Sequence, residues 1–94
     1  MNEQSVPVGV VGLGLMGASI VTCLAAAGHP VVGIDKDVSR RRALRRRVSV
    51  LLCDMRREKL LSGEPATALR HLSTSSDFGA LRNCGLVKIG RAHV

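Results

Sequence analysis

A short apolar run, Val8-Gly9-Val10-Val11, passes straight into Gly12-Leu13-Gly14-Leu15-Met16-Gly17. A helix-length stretch, Ala18 to Ala27, follows and closes on Gly28, a residue suited to the position just past a helix end. After His29-Pro30 a second apolar run, Val31-Val32-Gly33-Ile34, ends on Asp35. Continuous apolar runs of this length suit strands buried on both faces of a parallel sheet. Two such strands joined by a helix make a βαβ unit, here close to the shortest that can be built. Ile20, Leu24 and Ala27, with Cys23 beside them, recur at helical spacing and are expected to form the inner face of that helix.

The rest of the chain extends the same pattern. Asp37 or Ser39 can cap a long helix whose Leu44, Val48, Leu51, Leu52, Met55 and Leu60 fall on one stripe. Ser62-Gly63-Glu64-Pro65 is expected to stop it, and Ala66 to Arg70 to add one turn. His71 to Thr74 reads as a third strand, Phe78 to Arg82 as a short helix capped by Ser76-Asp77, and Gly85-Leu86-Val87 as the start of a fourth strand. The expectation is an α/β fold of the Rossmann type: the first half of a doubly wound parallel sheet, βαβ-αα-β-α-β, with strand order 3-2-1-4.

Each part of the glycine motif has a mechanical task. Gly12 permits the tight turn out of the strand, Gly14 lets the backbone approach a pyrophosphate, and Gly17 lets the helix pack closely on the strand. Leu13, Leu15 and Met16 complete the loop, and the helix N-terminus offers unpaired N–H groups and a positive dipole end to phosphates. Asp35 lies 23 positions after Gly12. There it can accept hydrogen bonds from adenosine ribose hydroxyls and would repel a 2′-phosphate, which favours NAD over NADP. Lys36 weakens that preference and Asp37 offsets it. A bare glycine turn and a simple strand-end acid are the plainer readings. What stands against them is the order strand, glycines, helix, strand, acid.

Composition narrows the partners. The chain has 94 residues, 46% hydrophobic and 22% charged, which is globular rather than disordered. With one Phe and no Trp or Tyr it has no aromatic platform for single-stranded nucleic acid. The net charge of +7 comes mainly from arginines between Arg40 and Arg57. They can be a solvated helix face or a polyanion-binding module. The interspersed Leu44, Val48 and Leu51 favour the solvated face, so no nucleic-acid partner is expected. Cys23, Cys53 and Cys84 form no CxxC pair, so no metal site is expected, and they read as buried small residues in a reducing compartment. The polar start, Met1-Asn2-Glu3-Gln4-Ser5, lacks a basic leader region. Glycines and the polar Ser19 and Thr22 interrupt the apolar stretch from Val6 to Ala27. No leader, no membrane span and a cytoplasmic location are therefore expected. His29, His71 and the Asp54/Glu58 pair lack the partners a catalytic group needs, and no catalytic residue is assigned.

Val8 to Asp37, with Gly-Leu-Gly-Leu-Met-Gly and then Ala-Gly-His-Pro-Val-Val-Gly-Ile-Asp, resembles several NAD(P)-dependent dehydrogenase families. These include the 3-hydroxyacyl-CoA, 3-hydroxyisobutyrate, 6-phosphogluconate and prephenate dehydrogenases. The long charged helix after Asp35, the Gly-Glu-Pro break and His71-Leu72-Ser73-Thr74-Ser75-Ser76-Asp77-Phe78-Gly79-Ala80-Leu81 are similar to the 3-hydroxyacyl-CoA dehydrogenase pattern. Gly85 stands where that family usually has Asp. The resemblance, over about residues 6 to 87, implies an NAD-dependent oxidation of 3-hydroxyacyl-CoA to the 3-oxo form in fatty acid metabolism. It also implies an acyl-CoA substrate and a homodimer for the intact protein. The family's catalytic His–Glu pair would lie beyond residue 94. The basic face around Arg56, Arg57 and Lys59 could receive part of the CoA.

The chain closes on Lys88-Ile89-Gly90-Arg91-Ala92-His93-Val94, where the family pattern would continue as Ile-Glu-Ala. A widely used sequencing adapter encodes Ile-Gly-Arg-Ala-His-Val when read in frame. Residues 1–88 are thus expected to be a partial NAD-binding domain, residues 89–94 a non-native tail, and a C-terminal helical catalytic domain absent. Such a fragment is expected to be inactive by itself.

Overall fold

The computed structural model describes residues 6–12 and 14–89. In chain order these form β1 (Val8–Val11), α1 (Leu15–Ala26), β2 (Val31–Ile34), α2 (Val38–Arg57), α3 (Pro65–Leu69), β3 (Leu72–Ser75), a 3-10 helix (Phe78–Asn83) and β4 (Leu86–Ile89). All neighbouring strands pair in parallel, in the order β3-β2-β1-β4. This is the strand order that the sequence pattern implies.

The crossovers from β1 to β2 and from β2 to β3 step in the same direction. Their common handedness puts α1, α2 and α3 on one face of the sheet, where they pack on each other. The core lies between that face and the helices. It joins Val10, Val31 and Leu72 of the strands to Ala18 and Val21 of α1, Leu44, Val48 and Leu52 of α2, and Ala68 of α3. Fully burying each large member of this set stabilises the fold by about 1.5–3 kcal/mol. Arg45 adds a polar tie, donating from Nη2 to the Leu72 carbonyl at 3.1 Å.

The step from β3 to β4 runs back past β2 and β1 and carries the 3-10 helix to the other face. A Cβ on Gly9 would come within 2.5 Å of Leu81 Cδ2 and 3.1 Å of Cys84 Sγ. A side chain at Gly9 would therefore require Leu81 and Cys84 of this segment to shift away from β1. Gly85 has a similar constraint. Its N–H donates to Pro7 O at 3.0 Å, and a Cβ there would meet Val6 Cγ1 at 2.7 Å. A side chain at this position has no room while Val6 keeps its place.

Several expectations need correction. The inward face of α1 is Ala18, Val21, Thr22 and Ala25, while Cys23 and Ala27 are exposed and Ile20 and Leu24 only flank the core. The small residues face inward because α1 lies close against its neighbours. Cys53 is also exposed and Cys84 half-buried, so the cysteines are not core residues. The helix α2 ends at Arg57, well before Ser62-Gly63. Lys59 turns into the left-handed region at φ 62, and the Leu60 N–H bonds back to Met55 O at 2.8 Å. Leu60 is accordingly off the stripe and 72% exposed. Strand β4 runs through Lys88 and Ile89, opposite Val10 and Val11. Residues 90–94 of the expected tail lie outside the described residues, as does Leu13 of the glycine loop. No helix among the described residues is long and apolar enough to cross a membrane.

Candidate cofactor-binding site

Strands β1 and β2 run side by side and end level, with Val11 opposite Ile34. At that end Gly12 turns the chain with φ 83, a backbone that a side chain strains. The turn is anchored by the Gly12 N–H, which donates to Ile34 O at 3.1 Å.

Helix α1 then starts with Gly14 as its cap, at φ −76 and ψ −160 and with no side-chain cap hydrogen bond. The first backbone bond back into the helix is Ala18 N–H to Gly14 O, at 3.0 Å. The N–H groups of Leu15, Met16 and Gly17 thus have no carbonyl one turn behind them inside the helix. The first turn carries no acid, so nothing there opposes an anion. Two glycines of the motif have distinct grounds. Gly12 is required by its dihedral. Gly14 adopts a backbone open to any residue, and a Cβ on it would meet nothing within 4 Å. The fold alone does not ask for glycine at position 14. Gly17 is buried and Met16 half-exposed, at 52%.

Asp35 follows β2 and is 9% exposed. Its N–H donates to Ser75 O at 3.2 Å, and its carbonyl accepts from Arg41 Nη1 at 2.7 Å. In the carboxylate, Oδ1 accepts the Asp37 N–H at 2.9 Å, and Oδ2 faces Arg40 Nη1 at 3.7 Å. The acid is therefore fixed by residues of β3, of the loop and of the first turn of α2. Asp37 in turn caps α2, its Oδ1 accepting the Ser39 N–H at 2.8 Å. Lys36 is drawn to the other side, its Nζ 5.9 Å from the Phe78 ring centroid. The sequence pattern points to Asp35. It contains no signal for Arg40 and Arg41, which reach the acid only because α2 starts immediately after the strand.

The remaining candidates do not join this site. Arg56 is paired with Glu64, and Arg57 with Asp54 at 3.3 Å. The basic face around Lys59 is therefore partly neutralised, though exposed pairs of this kind are weak. A groove of about 290 Å³, lined by Thr22, Cys23, Leu51, Met55 and Leu60 among others, opens between α1 and α2. Cys23 and Leu60 lie along it, and it includes neither the glycine loop nor Asp35. No group of His, Cys, Asp and Glu among the described residues could hold a metal ion.

The sequence model of the family described as 3-hydroxyacyl-CoA dehydrogenase, NAD binding domain, matches residues 7–88. Among solved structures, FadB2 of M. tuberculosis is 29% identical with a TM-score of 0.81, over 90% of this chain and 30% of its own. The 3-hydroxybutyryl-CoA dehydrogenase of Escherichia coli K12 is 28% identical with a TM-score of 0.79, over 95% of this chain and 19% of its own. The (S)-3-hydroxybutyryl-CoA dehydrogenase PaaH1 of Ralstonia eutropha shares the fold, with a TM-score of 0.83 at 24% identity. No curated protein matches. The chain spans less than a third of the length of the first two structures. The match decides among the dehydrogenase families that the glycine motif leaves open, and the chain belongs to the NAD-binding domain family of the 3-hydroxyacyl-CoA dehydrogenases.

Proposed function

We propose that this chain is the cofactor-binding part of an oxidoreductase that oxidises a 3-hydroxyacyl-CoA to its 3-oxo form. The observation that carries the reading is the family match over residues 7–88, coinciding with a helix start left open at Gly14. In this reading Gly12, Leu13, Gly14, Leu15, Met16 and Gly17 form the pyrophosphate cradle. The Leu15, Met16 and Gly17 N–H groups donate to it, and the positive end of α1 attracts its charge. Gly14 keeps the cradle clear of side chains. Asp35 accepts the adenosine ribose hydroxyls. Bound NAD+ supplies the hydride acceptor. The chain itself orients the dinucleotide, and the base that would take the hydroxyl proton is not among its residues.

The acyl-CoA substrate, a homodimer, a cytoplasmic setting and a role in fatty acid metabolism belong to this proposal for the longer protein. The test is a titration of the 94-residue chain with NADH, followed by nicotinamide fluorescence, beside an assay of 3-hydroxybutyryl-CoA oxidation. Saturable NADH binding without turnover is the expected pair of results. An absence of NADH binding would sink the cofactor reading. Turnover by the chain alone would sink the assignment of the proton-accepting base to other residues.

A further inference from the structure

Two features that usually separate NAD sites from NADP sites are both present at the end of β2. An acid there selects the ribose hydroxyls, whereas a nearby arginine accommodates a 2′-phosphate. Here Asp35 and Arg40 stand 3.7 Å apart across Oδ2 and Nη1. Their settings are unequal. Asp35 is 9% exposed and fixed through its backbone and Oδ1, while the Arg40 side chain is 63% exposed and, among the described residues, is held by this long ion pair. The pair is long and its arginine partner stands on the solvent side, so the guanidinium can reach a second anion placed beside Asp35.

The surrounding charges complete the picture. Lys36 adjoins Asp35 in sequence and lies over Phe78. Arg41 is committed to the Asp35 carbonyl at 2.7 Å and adds positive potential from α2. The opposing acid, Asp37, has its Oδ1 on the Ser39 N–H. A 2′-phosphate beside Asp35 would meet one fixed carboxylate and one exposed guanidinium able to bind it through paired N–H groups.

We propose that Arg40 is a specificity-determining residue that admits a 2′-phosphate, so that the site takes NADPH as well as NADH. The inference rests on the cofactor reading above. Because Arg40 offsets the repulsion from Asp35, the two dissociation constants lie within about tenfold of each other, a difference of roughly 1.4 kcal/mol.

The experiment is a pair of fluorescence titrations of the 94-residue chain, with NADH and with NADPH. They are repeated for Arg40→Gln and Arg40→Lys. Expected for Arg40→Gln is a shift of the NADPH-to-NADH ratio of dissociation constants by about tenfold toward NADH, the size of one charge-assisted contact. Arg40→Lys restores part of the shift, because it keeps the charge and loses the paired geometry. A chain that binds NADH but not NADPH overturns the inference and leaves the cofactor reading standing. An unchanged ratio in Arg40→Gln overturns it as well. Failure to bind either nucleotide overturns both.

Discussion

Helices α1 and α2 each follow a strand of the same sheet, yet their first turns are built in opposite ways. The cap of α1 is Gly14, with no side-chain hydrogen bond and no acid in the turn. The cap of α2 is Asp37, whose carboxylate accepts the Ser39 N–H at 2.8 Å. Its neighbour Asp35 accepts the Asp37 N–H in the same way. Both helix starts face the same problem of N–H groups without intrahelical partners. At α2 the chain solves it internally and gains stability. At α1 no side chain of the cap residue does so, and in the proposed reading these groups are what receives the cofactor phosphates.

The sharpest way to break the contrast is to make α1 start like α2. In Gly14→Asp the backbone, at φ −76, accepts the new residue and its Cβ has open space. The carboxylate would cap α1 from within and stand where phosphate charge must come. Stability is expected to rise by about 0.5–1 kcal/mol while NADH binding weakens by about 100-fold or more, since like-charge contact costs several kcal/mol. Urea unfolding and NADH titration of the same sample check both signs. A variant that binds NADH as well as the original would show that α1 is not the phosphate site.

The reverse change is Asp37→Ala, which makes α2 start as bare as α1. Loss of the cap is expected to cost about 1 kcal/mol of stability, read as a lower urea midpoint at unchanged slope. NADH binding should change far less than in Gly14→Asp. If the two variants weakened NADH equally, the distinction between the two helix starts would be wrong.

Much of this site is readable from residue order alone. Glycine spacing and the strand-end acid depend on local backbone geometry, which is why Gly12, Gly14 and Asp35 can be placed before any contact is known. The helix α2 is equally legible in Leu44, Val48 and Leu52, all at 1% exposure or less, because a 3.6-residue period is written along the chain. What the pattern hides is tertiary. In α1 nearly every position is apolar or small, so periodicity does not say which side faces in, and Cys23 is assigned to the wrong side. The importance of Gly9 comes from Leu81, a residue distant in sequence. The engagement of Arg40 with Asp35 depends on where the first turn of α2 lands.

The two helix ends carry the contrast to its smallest effect. Both close with the same pair of backbone bonds. In α1, the Gly28 N–H donates to Ala25 O and the His29 N–H to Leu24 O, each at 3.0 Å. In α2, the Lys59 N–H donates to Arg56 O at 3.0 Å and the Leu60 N–H to Met55 O at 2.8 Å. The residue in the left-handed region differs: Gly28 at φ 86 in α1, Lys59 at φ 62 in α2. A non-glycine residue there bears a cost that glycine avoids, set against glycine's larger entropy loss on folding. The sequence therefore points to Gly28 as a helix end and to nothing at Lys59, which is why α2 reads as running on toward Ser62. Lys59→Gly is expected to stabilise the chain by about 0.5–1 kcal/mol, a rise of a few degrees in Tm for a domain of this size. It should leave NADH binding unaltered, because Lys59 lies at the far end of α2 from Asp35. A fall in Tm would mean that the Lys59 side chain contributes more than its backbone strain removes.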